Sequence, residues 1–155
     1  MKKSFLLFVG ALLMTIGMSS CSSSSSDDYD YVGEFDGNEK ENFIGTWHVV
    51  KCWNGWGDNE EFKSGEITVT FTKDGEMIVQ NNRGEDYPFN TGEYNYSFKE
   101  FDRSIFAEGS ITAFVISRGD LIDSYYFYRF DEGMLYLSME AFDGPTYALK
   151  KLRAQ

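Results

Sequence analysis

The sequence predicts an all-β domain over residues 43–155, built as a single antiparallel up-and-down barrel of eight strands. Short runs rich in Val, Ile, Thr, Tyr and Phe alternate there with glycine-bearing breaks, and prolines number only two in the chain. Within the runs, apolar residues recur at every second position, which gives each strand one apolar face. Short turns between consecutive strands favour a sheet that closes on itself and so removes its exposed edges. A two-sheet β-sandwich is the alternative.

Residues 1–20 have the composition of a secretory signal peptide. Lys2 and Lys3 give a basic start, and the apolar run from Phe5 to Met18 spans 14 residues, too short to cross a bilayer as a stable helix. The letters MSSC at the end of the run resemble a bacterial lipobox, in which the cysteine receives lipid and becomes the mature N-terminus. We therefore expect Cys21 to carry acyl chains such as palmitate, because two or more chains hold a protein at a membrane where one does not.

Residues 21–42 are expected to form an acidic, Ser/Asp-rich flexible tether. Five serines follow Cys21 directly, and the segment has seven acidic residues with almost no apolar periodicity. This composition buries too little surface to offset the entropy of ordering, although Tyr29, Tyr31 and Phe35 are apolar enough to dock on the domain. The serines and aspartates after the cysteine also resemble the export signal of Bacteroidota surface lipoproteins. That resemblance implies the cell surface, and the periplasmic face of the outer membrane is the alternative.

The charge of the mature chain limits its partners. Removing residues 1–20 from 155 leaves 135 residues, and loss of Lys2 and Lys3 takes the net charge from −11 to −13. Such a chain repels nucleic acid and anionic lipid head groups, so we expect neither as a partner and attribute membrane attachment to the lipid. With Cys21 acylated, Cys52 is the one remaining thiol, and no intrachain disulfide is expected.

Turn residues divide the domain into eight strand candidates. Asp-Gly, Asn-Gly and Glu-Gly pairs and isolated glycines mark the breaks, and a short helical turn is expected only near residues 99–105. The predicted strands lie at 44–53, 66–72, 76–81, 92–98, 110–117, 124–130, 134–139 and 146–152.

Alternation identifies the inward face of each strand. Ile67, Val69 and Phe71 share one face of their strand, with threonines on the other. An eight-stranded barrel either is filled by side chains or holds one small ligand, and large inward residues leave both open. In the later strands the inward residues are Tyr94, Tyr96, Phe98, Tyr126, Tyr128, Phe130, Leu135, Leu137 and Met139.

Several stretches resemble a known family. FIGTWHVV at 43–50 carries the Gly-x-Trp of the first lipocalin strand as Gly45 and Trp47. With the FTKDGEM hairpin and the closing stretches YYFYRFDEGMLYLSM and TYALKKL, residues 43–152 resemble the lipocalin-like domains of Bacteroidota lipoproteins. The resemblance implies a barrel whose closed end is plugged by the tryptophan beneath a basic residue, either Lys151 or Arg153. The threonine-aspartate-tyrosine turn of lipocalins is missing.

The loop after the first strand holds the candidate ligand site. Trp53 and Trp56 flank Asn54-Gly55, a pair that favours a type I′ turn and brings the two indoles opposite each other. With Phe62 they form either a lid over an apolar ligand or a platform for sugar rings, and a plain hydrophobic cap over the barrel mouth is the alternative. The interior below this rim is expected to be lined by Tyr94, Tyr96, Tyr126 and Tyr128.

No catalytic, metal or cofactor site is predicted. His48 is the one histidine and is expected on the surface of the first strand, which excludes a His-rich zinc site. The acidic loop with Asp58, Glu60 and Glu61 lacks the spacing and the glycine of a calcium loop. No spacing selects a carboxylate pair for glycoside hydrolysis, so a hydrolase is a distant third reading.

The sequence thus predicts an outer-membrane lipoprotein, not an enzyme, whose barrel binds a small apolar or carbohydrate ligand at the Trp53, Trp56 and Phe62 rim. The alternative is a structural or accessory envelope lipoprotein, whose filled barrel presents an acidic surface to another envelope protein.

Overall fold

The computed structural model describes residues 29–54, 59–84, 88–102, 110–117, 119, 123–139 and 143–154. The predicted signal peptide, Cys21 and Trp56 lie outside the described residues. One short helix, α1, and nine strands are found within the described ranges. Their bounds are α1 Glu39–Phe43, β1 Gly45–Trp53, β2 Glu60–Glu61, β3 Ile67–Phe71, β4 Glu76–Asn81, β5 Gly92–Asp102, β6 Ser110–Ser117, β7 Ser124–Asp131, β8 Met134–Ser138 and β9 Thr146–Lys151.

The strands form one closed antiparallel sheet. Strands β3 to β9 pair in chain order, and β1 pairs with both β3 and β9, so the ring of hydrogen bonds is continuous. The two-residue β2 is an addition that pairs with β1 at Lys51 and Cys52. The predicted eight-stranded up-and-down barrel is therefore confirmed, and closure through β1 and β9 rules out the sandwich. The architecture is consistent with a lipocalin-like barrel.

All eight predicted strands are present, and two local features differ from the prediction. The helical turn expected near residues 99–105 is wrong over its first part, because β5 continues to Asp102 and pairs with β6 as far as Asp102 opposite Ser110. The helix α1, which the sequence analysis does not predict, precedes β1. Its five residues are too few to show a helical period.

A β-bulge in β1 decides which residues face the core. The register against β9 shifts between Val49 and Lys51, which adds one residue to β1. Trp47 and Val49, at odd-numbered positions, are buried before the bulge, and Cys52, at an even-numbered position, is buried after it. The bulge therefore changes which of the alternating residues of β1 face the core. Lys51 and Trp53 consequently lie on the outer side of the wall.

Aromatic rings fill the half of the barrel that contains Trp47, here called the closed half. Phe43, at the end of α1, is fully buried and lies at the centre of this half. Its ring centroid is 5.0–5.7 Å from those of five surrounding rings, in edge-to-face or stacked arrangements. These rings belong to Phe71, Phe98, Phe114, Tyr128 and Phe130.

Residues 29–35, here called the strap, lie along the outside of the barrel. The Val32 N–H donates to the Lys151 carbonyl at 2.9 Å, and the Arg153 N–H donates to the Asp30 carbonyl at 2.9 Å. The sequence analysis assigns these residues to the flexible tether, with Tyr29, Tyr31 and Phe35 able to dock on the domain. The three aromatic side chains do pack on the barrel, and the backbone pairing with the end of β9 is a contact that the acidic composition does not suggest.

Candidate functional site

Trp47 closes one end of the barrel. Its indole is fully buried, and Nε1 donates to the Phe43 carbonyl at 2.8 Å. The Lys151 ammonium lies 5.6 Å from the Trp47 ring centroid and donates to the Asn42 carbonyl at 2.9 Å. Burial lowers the pKa of Lys151. Of the two basic residues left open by the sequence, Lys151 covers the tryptophan.

Arg153 and Gly45 also lie near the closed end, but neither covers Trp47. Arg153 lies on the surface, where its Nη1 is 3.5 Å from the Asp30 carboxylate. Gly45 has φ +130°, and a Cβ there would lie 3.0 Å from Lys151 Cε. A side chain at position 45 would therefore push against the lysine that covers Trp47.

The four candidate tyrosines line the interior, but their hydroxyls have intramolecular partners. Tyr94 donates to the Asn90 carbonyl at 2.8 Å, and Tyr96 donates to the Thr72 carbonyl at 2.6 Å. Tyr128 donates to the Glu39 carboxylate at 3.1 Å, and burial together with this carboxylate raises its pKa to about 12. Burial also raises the pKa of Tyr126 to about 12.

The residues expected to form one aromatic rim lie on different faces of the wall. Phe62 is buried in the core cluster, and the Arg83 guanidinium lies 5.0 Å from its ring centroid. Trp53 lies outside, 6.1 Å from the ring of Tyr136 on β8. The structure therefore does not bring Trp53 and Phe62 together, and Trp56, the third member, is outside the described residues.

A loop side chain that the sequence analysis does not single out occupies the barrel mouth. Phe89 lies between β4 and β5, is 8% exposed, and packs 4.6 Å from the ring of Tyr147. The signal available in the sequence is a lone Phe beside Pro88 in a polar loop, which does not show the direction of the side chain. Phe89 and Phe62 thus both enter the core from loops.

His48 is covered rather than exposed, which corrects the expectation of a surface histidine. It is 2% exposed, because Tyr29 and Tyr31 of the strap lie over it, with the Tyr29 ring 4.5 Å away in an edge-to-face contact. Tyr31 Oη is 3.0 Å from His48 Nδ1 and donates to Ser64 Oγ at 2.9 Å. Burial lowers the pKa of His48.

A groove runs between the strap and the turn that joins β7 to β8. Its volume is about 430 Å³, and it is open to solvent along its length. Two aromatic rings and three carboxylate side chains contribute to its walls, together with two glycines. The lining residues are Gly33, Glu34, Phe35, Phe130, Asp131, Glu132 and Gly133.

The described residues contain no group of His, Cys, Asp or Glu side chains placed to hold a metal ion. Within the same ranges, no helix is long and apolar enough to cross a membrane. In comparisons with protein-family models, with curated proteins and with solved structures, the chain matches none.

Proposed function

We propose that this chain is a lipid-anchored binding module of the outer membrane, without catalytic activity, whose lipocalin-like barrel is displayed at the cell surface. Cys21 carries the lipid, and the strap joins the anchored segment to the barrel. Recognition takes place on the outer surface of the barrel, and the partner is another protein of the envelope. The observation that carries this proposal is the complete burial of the Phe43 ring in the closed half of the barrel.

Phe43 fills the place that a ligand would occupy in the closed half of an open calyx. It has five aromatic neighbours and no exposed surface. A ligand there would have to displace the ring, and removal of a buried phenylalanine costs about 3–5 kcal/mol. A rigid, filled barrel suits a scaffold that presents its surface.

The mouth supports a second candidate, in which the barrel binds a small apolar or carbohydrate ligand. Phe89 is supplied by a loop and not by a strand, so a ligand can replace it without breaking the sheet. Tyr94 from β5 and Tyr126 from β7, both singled out by the sequence, pack in the same hydrophobic cluster. This candidate keeps the barrel intact and changes only the position of one loop.

The anchor is tested by metabolic labelling with a palmitate analogue. We expect label on the wild-type chain and none on Cys21→Ser, while Cys52→Ser, the other cysteine variant, remains labelled. Proteolysis of intact cells then measures exposure, and degradation of the wild-type domain is expected. Equal labelling of Cys21→Ser, or a domain protected in intact cells and cleaved only after lysis, would contradict the anchor or the surface location respectively.

The place of recognition is tested by titrating the purified lipoprotein in nanodiscs with indole and with an oligosaccharide, followed by calorimetry. Surface recognition predicts no saturable binding to the wild-type barrel, whereas Phe89→Ala should bind indole in the space that it opens. Phe101→Ala, which removes an exposed ring from the outer wall, is the control. Saturable binding of indole or the oligosaccharide by the wild type would favour the mouth candidate instead.

A further inference from the structure

The groove beside the strap has a fixed aromatic floor. The ring centroids of Phe35 and Phe130 are 4.8 Å apart, and Phe35 stacks on the buried Trp47 at 5.5 Å. Both phenylalanines are half-buried, so each offers part of its ring to the groove. The floor therefore rests on the buried Trp47 at the closed end of the barrel.

Close backbone packing holds the two walls in place. Gly133 has φ +72°, and a Cβ at this position would lie 2.7 Å from the Gly33 carbonyl oxygen and 3.1 Å from the Val32 carbonyl oxygen. The absence of a side chain at Gly133 thus allows the strap to lie directly on the turn. The groove exists because these two segments meet.

The rim of the groove offers acceptors and negative charge. Glu34, Asp131 and Glu132 are exposed carboxylates, which at neutral pH accept hydrogen bonds and donate none. Arg129 Nη1 is 4.0 Å from Asp131 Oδ2, at the limit of an ion pair, and its guanidinium stacks on the Tyr136 ring at 4.5 Å. Glu34 and Glu132 have no ion pair among the described residues.

We infer that this groove binds an arginine side chain presented by a partner protein. A ligand that suits aromatic faces and carboxylates has to be cationic, flat and rich in donors, and the guanidinium group has five N–H donors, no acceptor and a plane that stacks on rings. Anions are repelled by the rim. Sugar hydroxyls both donate and accept, and the side chains of this lining supply no donor.

The inference rests on the proposed surface recognition and specifies the chemistry of the partner. It does not depend on the lipid, because every residue that it uses lies in the barrel or the strap. Failure of the labelling at Cys21 would therefore remove the anchor and leave the groove, whereas failure of the binding experiment below would remove the groove and leave the anchor.

The experiment uses the full lipoprotein in neutral detergent micelles and three blocked tripeptides, Gly-Arg-Gly, Gly-Lys-Gly and Gly-citrulline-Gly. Citrulline has the shape of arginine without its charge. We expect the arginine peptide to shift the amide resonances of Gly33 and Gly133 and to bind more tightly than the lysine peptide, and we expect no binding of the citrulline peptide.

Variants with matched charge changes locate the site. Glu34→Gln/Glu132→Gln should weaken binding of the arginine peptide about tenfold, since two exposed ion pairs are lost. Glu93→Gln/Asp143→Asn removes the same charge from β5 and from another turn with positive φ, and should leave affinity within about twofold. Equal weakening in both double variants, citrulline binding as tight as arginine binding, or no shift of Gly33 and Gly133 would overturn the inference.

Discussion

The two ends of the barrel are closed by different means. At the closed end, Phe43 comes from a helix, Lys151 from the last strand and Phe35 from the strap, and all three meet at Trp47. At the mouth, Phe62 and Phe89 come from loops and insert singly. The closed end is thus built from distant parts of the chain that fix one another, whereas the mouth is covered by two side chains that each come from a single loop.

We therefore expect the closed end to determine the stability of the barrel and the mouth to be the part that can change its conformation. Residues that lock several elements together cannot change position without loss of the fold, because interiors are packed as densely as crystals. Residues on single loops can change with a smaller penalty, since local opening needs fewer contacts to break. The predictions below test this division, from the largest expected effect to the smallest.

Truncation of the central rings should affect the two ends unequally. Phe43→Ala is expected to lower the free energy of unfolding by about 3–5 kcal/mol, because it removes a fully buried ring with five aromatic neighbours. Phe89→Ala removes a ring of the same size from the mouth and should cost about 2 kcal/mol. Urea unfolding followed by circular dichroism measures both. Equal losses would mean that the mouth is as tightly built as the closed end.

A side chain at Gly133 should disrupt the contact between the strap and the turn, whereas a side chain at Gly33 should leave it intact. Gly133→Ala should lower the free energy of unfolding by about 2 kcal/mol, since the residue has positive φ and its Cβ would meet the strap. Gly33→Ala has no heavy atom within 4 Å of its Cβ and is the matched control. The same urea experiment applies, and a Gly33→Ala protein as unstable as Gly133→Ala would contradict the close packing.

The sequence predicts the wall of the barrel better than its ends. Period-two alternation identifies Ile67, Val69 and Phe71 as inward, and all three are buried. Alternation works in β3 because every second residue of this strand is buried, a property that is local to the strand. The plug at Trp47 follows from the resemblance to lipocalins, and the pairing of Trp47 with Lys151 across β1 and β9 shows why that lysine covers it.

The sequence predicts neither the outward position of Trp53 nor the groove beside the strap, for two physical reasons. The bulge after Val49 moves Trp53 to the outer face, and a one-residue insertion in a ladder leaves no mark in composition. The groove needs Phe35 and Phe130, which are 95 positions apart in the sequence and meet only because the strap folds back on the barrel. Tertiary contacts of this kind are not encoded by any local period.

Alkaline titration should distinguish the two halves of the interior. The folded pKa of Tyr126 and that of Tyr128 are raised from 10 to about 12, so the neutral forms that favour folding persist in the native state. The contribution of these tyrosines to the free energy of unfolding is therefore fully present below pH 10 and is lost as the pH rises towards 12. For the buried Tyr126 this loss is about 2 kcal/mol. Tyr126→Phe should reduce this loss in urea unfolding measured across the same range.

Burial is the main cause of the shift in both tyrosines, and a second cause acts on Tyr128 alone. The Tyr128 hydroxyl donates a hydrogen bond to the Glu39 carboxylate at the closed end, and this carboxylate raises the pKa of Tyr128 further. Glu39→Gln should lower the pKa of Tyr128 and leave that of Tyr126 unchanged, as read from tyrosinate absorbance. Tyr126→Phe and Tyr128→Phe assign the two titrations. An unchanged Tyr128 titration in Glu39→Gln would argue against the contact between α1 and β7.

The smallest effect concerns the strap and arises at mildly acidic pH. Burial lowers the folded pKa of His48 below 6.5, so the contribution of the neutral imidazole is complete above pH 6.5 and is lost as the pH falls towards the folded pKa. Lys150, opposite His48 across β1 and β9 and over the Tyr31 ring, adds positive charge, while Thr68 and Ser64 are neutral and Asp30 pairs with Arg153. An imidazolium should therefore loosen the strap.

Hydrogen exchange of two amides measures this loosening. The Val32 and Arg153 N–H groups join strap and barrel, and at about pH 5 their exchange, corrected for the intrinsic rate, should be faster than at neutral pH. His48→Gln should remove this pH dependence, and an identical dependence in the variant would exclude His48 as its cause. Because the strap also supplies Phe35 and Glu34 to the groove, acid should weaken binding of the arginine peptide more in the wild type than in His48→Gln.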